Sequence, residues 1–186
     1  GGTFLTDIIL CGKAEDHALS EILIPSLSRY GGVRFSSRDQ IRQFGPESPA
    51  FLVWDCEQIP EVALESGVLV FKNSYRPLTS IQVPPEFLCV FESHNQYAAE
   101  VLKNAGASAA VCGLSARDTL SISSLDYGNA VLSLLRNVQT IRGGLLEPHD
   151  FQVQTHSRVS PRHMLVVAMV LLLLGMDSSD GFIIGL

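Results

Sequence analysis

Short, unbroken apolar runs recur through the first two thirds of the chain, and a polar stretch follows each of them. Strands buried on both faces of a parallel sheet have this continuous apolar pattern, whereas half-exposed strands alternate. Segments with helical periodicity lie between several runs, which is typical of a doubly wound α/β fold. We therefore expect a mostly parallel sheet with helices on both faces. The runs are residues 5–10, 51–54, 67–71, 87–91 and 109–112, with a short strand at 33–35.

Helices are predicted where apolar residues recur at helical spacing and where residues suited to helix ends flank them. The first helix follows the opening strand over residues 15–29, and Pro25 is expected to kink it. Ser36 and Ser37 are suited to cap a second helix over residues 38–44. The other predicted elements are a helix over residues 96–104 that ends at Gly106, at most a short helix over 60–66, and an irregular stretch over 74–85.

The pattern changes after Gly113, where alternating apolar and polar residues predict antiparallel strands. Residues 118–155 are expected to form a meander on the sheet edge, with a hairpin turn at residues 143–144. Pro161 is placed to begin a last, wholly buried helix over residues 162–174. Its apolar run is shorter than the roughly 20 residues that cross a bilayer, so membrane insertion is not expected.

The length of 186 residues predicts one domain. Within it, we assign residues 1–116 to the parallel part, 117–156 to the meander, and 157–186 to the closing helix and tail. The first residues contain no basic segment followed by an apolar one, so no signal peptide is expected.

Charge and cysteine content narrow the classes of function. A net charge of −6 without clustered Lys or Arg argues against nucleic-acid binding. Only 17% of residues are charged, which suggests that some surface meets a protein partner or a second copy of the chain. The cysteines form no C-x-x-C motif, which favours buried, reduced thiols in a cytoplasmic protein. They are Cys11, Cys56, Cys89 and Cys112.

Polar residues collect where the predicted parallel strands end, and ligands of open α/β sheets bind at those ends. They are Lys13, Asp55, Glu57, Lys72, Asn73, Glu92, His94 and Asn95. Carboxylates with an imidazole suit a divalent cation. The candidate metal ligands are Asp55, Glu57, Glu92 and His94. The alternative is that these side chains are polar only because strand ends turn towards solvent. His94 is also a candidate base for the thiol of Cys11 or Cys112.

The turn after the first strand contains Gly12 and Lys13, at the place where an α/β nucleotide-binding protein has its phosphate loop. Such a loop has the pattern Gly-x-x-x-x-Gly-Lys-Ser/Thr, in which N–H groups cradle phosphate and the hydroxyl holds magnesium. Asp7 stands at the first glycine position and Ala14 at the hydroxyl position. The strand and turn of the motif are therefore present, and two of its chemical groups are not.

The order of these parts resembles the central, ATP-binding domain of the Mur ligase family, which acts on peptidoglycan precursors. The resemblance covers most of the chain. It implies nucleotide contacts at Gly12, Lys13, Asn73 and Asn95, and magnesium binding by an acid at the end of the 51–57 segment. The segments that carry it are the opening strand and turn, residues 51–57, 67–73, 89–95 and 109–115, the meander, and residues 162–176.

Departures from the family pattern decide the functional hypothesis. Residues 74–77 read Ser-Tyr-Arg-Pro where the family has Asp-His-Leu-Asp, and no lysine follows in the Pro-rich stretch. Ligation through an acyl phosphate depends on metal and positioned cations, so ATP-dependent ligation is not expected. We therefore expect a non-catalytic Mur-ligase-like domain, without a cofactor, that binds a protein partner or small ligand.

Two alternatives remain open from the sequence. One is a divergent enzyme that binds a nucleotide with Mg²⁺ through the polar strand-end residues. The other is a metal- or thiol-dependent hydrolase that uses His94, Glu92 and Cys112. The first predicts ATP binding, and the second predicts a bound metal or a reactive thiol.

Overall fold

A computed structural model of the chain describes residues 4–78 and 81–186. Its main feature is an 11-stranded sheet in the order β13-β12-β9-β8-β7-β6-β5-β1-β4-β2-β3, beside a two-stranded sheet of β10 and β11. The strands are β1 (Thr6–Cys11), β2 (Gly32–Ser36), β3 (Ile41–Phe44), β4 (Pro49–Cys56), β5 (Gly67–Phe71), β6 (Phe87–Glu92), β7 (Ala109–Cys112), β8 (Leu120–Asp126), β9 (Asn129–Leu134), β10 (Val138–Gln139), β11 (Leu145–Leu146), β12 (His149–Gln154) and β13 (Phe182–Ile183).

The central strands confirm the predicted parallel sheet. β1 lies between β4 and β5 and is parallel to both, and β6, β7 and β8 continue the sheet in parallel. Val68, Leu69 and Val70 of β5 are fully buried, as expected for a strand covered on both faces. This order brings the ends of β5, β1 and β4 together at one edge.

The C-terminal strands confirm the antiparallel meander, because β8 pairs with β9 and β9 pairs with β12. β10 and β11 form the hairpin around Gly143, whose φ of 84° is in the left-handed region. β13, which the sequence analysis did not predict, adds to the sheet edge in parallel with β12.

Three helices cover the two faces in the described residues: α1 (Ser20–Ser28), α2 (Gln96–Ala105) and α3 (Pro161–Leu173). α1 and α3 pack on one face and α2 on the other. α3 is buried from Met164 to its last residue, which confirms the predicted closing helix. Among the described residues, no helix is long and apolar enough to cross a bilayer.

Two helix predictions are corrected by the structure. The helix predicted over residues 38–44 is wrong, because the chain turns there and forms β3 antiparallel to β2. Ser37 does not cap a helix. Its N–H donates to Gln40 O (2.9 Å) and its hydroxyl accepts from Asp39 N–H (3.3 Å), which closes the hairpin turn.

The first helix begins at Ser20 rather than at Glu15, because residues 12–18 form an irregular turn. Pro25 lies inside this helix. No helix forms at residues 60–66. In the stretch predicted to be irregular, residues 74–78 and 81–85 lack strands and helices, and Thr79 and Ser80 lie outside the described residues.

Candidate functional site

A buried ion pair crosses the carboxyl end of β1. Lys72 follows β5 and Asp55 belongs to the end of β4, so they lie on opposite sides of β1. The Lys72 ammonium lies 2.7 Å from Asp55 Oδ1, and the two side chains are 1% and 3% exposed. The lysine stem therefore passes beneath the turn that joins β1 to α1.

The turn directs carbonyl oxygens towards this ammonium. Lys72 Nζ donates to Lys13 O and to Asp16 O, both at 2.9 Å. With Asp55 Oδ1 as the third acceptor, all of its N–H donors are used. A loop that binds phosphate instead points backbone N–H groups at the ligand. The polarity of this turn is therefore opposite to that of a phosphate loop.

Several N–H groups of the turn also have internal acceptors. Gly12 N–H donates to Cys56 O at 3.0 Å, and Lys13 N–H donates to Ser74 Oγ at 3.1 Å. The Ser74 hydroxyl in turn donates to Asp16 Oδ2 at 2.6 Å. These bonds hold the turn against the end of β4 and the segment after β5.

Gly12 is required here by close packing. A Cβ at this position would lie 2.5 Å from Lys72 Cβ and 2.8 Å from Ser74 Oγ. No real Cβ approaches other atoms so closely, so only glycine fits over the lysine stem. Its place in the sequence matches the glycine of a phosphate loop, but its neighbours are side chains of the chain itself.

Burial raises the pKa of Asp55, and the hydrogen bond and positive charge of Lys72 oppose that effect. Asp55 Oδ2 is buried without a hydrogen-bond partner among the described residues, which adds to the cost of the charged form. Removal of the lysine would leave this carboxylate with no compensating charge, so the pair depends on both members.

A second polar cluster lies at the end of β6. Glu92 Oε1 is 2.9 Å from His94 Nδ1, and Glu92 Oε2 accepts from His94 N–H at 3.1 Å. The guanidinium of Arg162, at the start of α3, lies 3.8 Å from Glu92 Oε1. Glu92 is buried, whereas the side chains of His94 and Arg162 are more than half exposed.

Asn95 links the two clusters, since its N–H donates to Glu92 O at 2.8 Å. Its amide donates to Lys72 O at 3.0 Å, and its side-chain oxygen accepts from Ala98 N–H at 3.1 Å as the N-cap of α2. It is 5% exposed. Asn73, predicted beside it as a nucleotide contact, is exposed. Asn95 therefore has a structural role that the strand-end pattern did not reveal.

The four candidate metal ligands are not brought together. Asp55 pairs with Lys72, Glu92 contacts His94, and Glu57 is exposed beside Arg38 at 3.2 Å. Within residues 4–78 and 81–186, no group of three or more His, Cys, Asp and Glu side chains is placed to hold a metal ion.

The thiols considered as nucleophiles are buried. Cys112 is 0% exposed, and its Sγ donates to Leu165 O at 3.7 Å. Burial raises its pKa far above the usual value, with smaller contributions from Asp118 and Glu92. Burial likewise raises the pKa of Cys11. His94 makes its side-chain hydrogen bond to Glu92 instead.

Three members of these clusters are not predicted from the sequence: Asp16, Ser74 and Arg162. Asp16 and Ser74 are 58 positions apart, and nothing local in the sequence signals their contact. Arg162 begins a helix far along the chain from Glu92. Only the three-dimensional arrangement of strands, turns and helices could have revealed these contacts.

No protein-family model matches the chain, and no curated protein matches it. A solved structure of UDP-N-acetylmuramoyl-L-alanyl-D-glutamate–2,6-diaminopimelate ligase is similar to it, with a TM-score of 0.56 and 11% sequence identity. The match covers 95% of this chain and 45% of the ligase, so the chain spans less than half of that protein. At this identity the likeness concerns the fold alone, and the chain has a Mur-ligase-like α/β fold.

Proposed function

We propose that this chain is a non-catalytic, Mur-ligase-like binding domain. Its β1–α1 turn, residues 12–18, stands where a nucleotide-binding α/β protein holds the phosphates, and the Lys72 ammonium fills it. We call it the closed turn. The observation that carries the proposal is the Lys72 ammonium inside that turn, bonded to Lys13 O, Asp16 O and Asp55 Oδ1. The domain acts in the cytoplasm by binding a protein partner or small ligand, and it makes no acyl phosphate from ATP.

The energetics of the closed turn support this role. A phosphate placed in the turn would meet the carbonyl oxygens of Lys13 and Asp16, which repel an anion. If the Lys72 ammonium moved out to meet the phosphate, Asp55 would stay buried without its partner. Breaking a buried pair in this way costs about 3–5 kcal/mol. Binding of ATP would therefore have to overcome both the repulsion by these carbonyl oxygens and the cost of breaking the buried ion pair.

The neighbouring residues support the same role. A Mur-type ligase binds Mg²⁺ with the nucleotide, but here Asp55 is engaged by Lys72, and Glu57 faces solvent. Of the residues that the resemblance implies as nucleotide contacts, Gly12 packs against the lysine stem and Asn95 caps α2. Lys13 and Asn73 remain exposed.

Calorimetric titration of the full chain with ATP and Mg²⁺ tests the proposal. We expect no saturable heat at millimolar nucleotide. Low-micromolar binding would overturn it and favour the divergent nucleotide-binding enzyme. In that case Lys13→Ala shows whether the exposed lysine contacts the phosphates, since its side chain has no part in closing the turn. A matching titration with Mg²⁺ alone separates metal binding from nucleotide binding.

A further inference from the structure

One edge of the sheet is open at β3. This strand is the last in the sheet order of the described residues and pairs only with β2. Three of its four residues are exposed, and Ile41 is 74% exposed. An uncovered edge strand is a template for pairing with another chain.

The ladder of the hairpin shows which backbone groups face outward. The Ser37–Gln40 pair is hydrogen-bonded, and in antiparallel strands bonded and non-bonded pairs alternate. Arg42 is two residues after Gln40 and lies opposite Phe35, so the backbone of Arg42 is hydrogen-bonded to β2. Ile41 and Gln43 then present their N–H and C=O groups to the open side.

An apolar groove of about 720 Å³ lies beside this edge, between α1 and the β2–β3 hairpin. Ile24 and Pro25 of α1 line one wall, and Phe35 and Phe44 of the hairpin line the other. A strand added next to β3 would point alternate side chains into this groove. The edge therefore offers backbone pairing and side-chain burial together.

The groove is locally basic on a chain of net charge −6. Arg29 and Arg42 line it, with Glu21 as the acidic residue. The Arg42 guanidinium lies over the Phe44 ring, 5.1 Å from its centroid. Arg29 is held in place by Gly185 O at 2.7 Å. A carboxylate side chain that enters the groove would meet these guanidinium groups.

We propose that the β3 edge and its groove bind a partner protein through one extended segment, which pairs with Ile41 and Gln43 as an additional strand. The segment has apolar side chains facing the groove and a carboxylate directed at Arg42. Extended peptides add to sheet edges in this way in other recognition domains, where backbone bonds give affinity and side-chain pockets give specificity. The inference rests on the binding role proposed above, and it names the surface and the class of partner.

The test uses a fluorescein-labelled peptide centred on Val-Thr-Glu-Thr-Val, in which both valines and the glutamate share one face. The matched control peptide has lysine in place of glutamate. We expect saturable fluorescence anisotropy with the acidic peptide and about tenfold weaker binding of the basic one. Absence of binding by the acidic peptide to the intact chain would overturn the proposal, and so would equal binding of both peptides.

Variants at the edge separate strand addition from other modes of binding. Gln43→Pro removes an outward N–H without removing a ladder bond to β2, so it should abolish peptide binding. Gln43→Ala keeps that N–H and loses only the side-chain bond to Pro46 O (2.9 Å), so it should retain binding. Arg42→Gln should remove the preference for glutamate. Circular dichroism establishes that each variant is folded.

Equal peptide binding by the Gln43→Pro and Gln43→Ala variants would overturn the strand-addition geometry. Dimerisation of the free chain that Gln43→Pro abolishes would assign the edge to a second copy instead, and would also overturn the proposal. ATP binding would contradict the non-catalytic role without affecting the peptide result, so the two proposals fail separately.

Discussion

The β1–α1 turn and the β3 edge lie on either side of β4 and β2. They differ in whether their polar groups bond to one another within the chain or face outward. At the turn, the Lys72 ammonium donates to one carboxylate oxygen and to two backbone carbonyl oxygens below the surface. At the edge, the backbone groups of Ile41 and Gln43 face outward beside an apolar groove. Ligands of open α/β sheets usually bind at the first region, whereas the outward backbone groups of the second have no partner strand among the described residues.

This difference shows that resemblance in fold does not fix which polar groups are left free for a ligand. In an open parallel sheet, strand ends are the usual binding place because helix N-termini and loops leave donors free there. Here Lys72 and Ser74 use those positions internally. Variants in the two regions should therefore differ: at the turn they should cost stability, and at the edge they should cost binding.

The largest effect is expected from Lys72→Met. It leaves Asp55 buried without its partner, and it removes the ammonium donor from Lys13 O and Asp16 O. We expect the free energy of unfolding to fall by about 3–5 kcal/mol in urea titration. Lys13→Met, which removes an exposed charge from the same turn, should change it by less than about 0.5 kcal/mol. Equal stabilities of the two variants would mean that the turn does not depend on the ammonium.

Gly12→Ala should come next. Its Cβ would lie 2.5 Å from Lys72 Cβ, and overpacking of this kind costs about 1–3 kcal/mol. Gly144→Ala is the control, because its nearest neighbour would be Thr140 Oγ1 at 3.1 Å on an exposed turn. If Gly12→Ala left stability unchanged and abolished nucleotide binding, the glycine would belong to a working phosphate loop and the comparison would fail.

The pKa of Tyr75 reports how well water is excluded from the buried side chains next to the closed turn. Its ring meets Phe71 edge-on at 4.9 Å, and burial raises its pKa to about 12, with a smaller contribution from Cys11. Because the folded pKa exceeds the unfolded value near 10, the stability that the neutral phenol provides is complete below pH 10 and is lost as pH rises through 12. Absorbance of tyrosinate should therefore show a late step that Tyr75→Phe removes. Ionisation of all four tyrosines near pH 10 would contradict the buried setting.

The sequence predicts the parallel strands well because burial on both faces leaves unbroken apolar runs, as in Gly67–Phe71. It does not predict β3, because an exposed edge strand has neither an apolar run nor a clear alternation. Ser36 and Ser37 are equally suited to a helix cap and to a hairpin turn. The tertiary pairing with β2 decides between the two.

The strand-end cluster could be predicted only as a set of residue types. Lys72 and Asp55 are recognisable as polar residues after apolar runs, but their contact depends on β1 lying between β4 and β5. The order of the strands along the chain does not show which strands are neighbours in the sheet. The same limitation explains why the sequence predicts one role for Asp55 and Glu57, two residues apart, although their surroundings differ.

The smallest effect is expected from Glu57→Gln, and it tests that last contrast directly. Glu57 and Arg38 form a surface pair at 3.2 Å with side chains 54% and 67% exposed, and such pairs contribute about 0–1 kcal/mol. The variant should unfold within about 0.5 kcal/mol of the wild type, and the difference should shrink as salt screens the charges. Asp55→Asn, the matched change at the buried position, should be clearly destabilised because Lys72 loses its counter-charge. If Mg²⁺ stabilised the wild type but neither variant, both carboxylates would be metal ligands. The ammonium of Lys72 would then have to leave Asp55, and the closed turn would be only one of two states of the molecule.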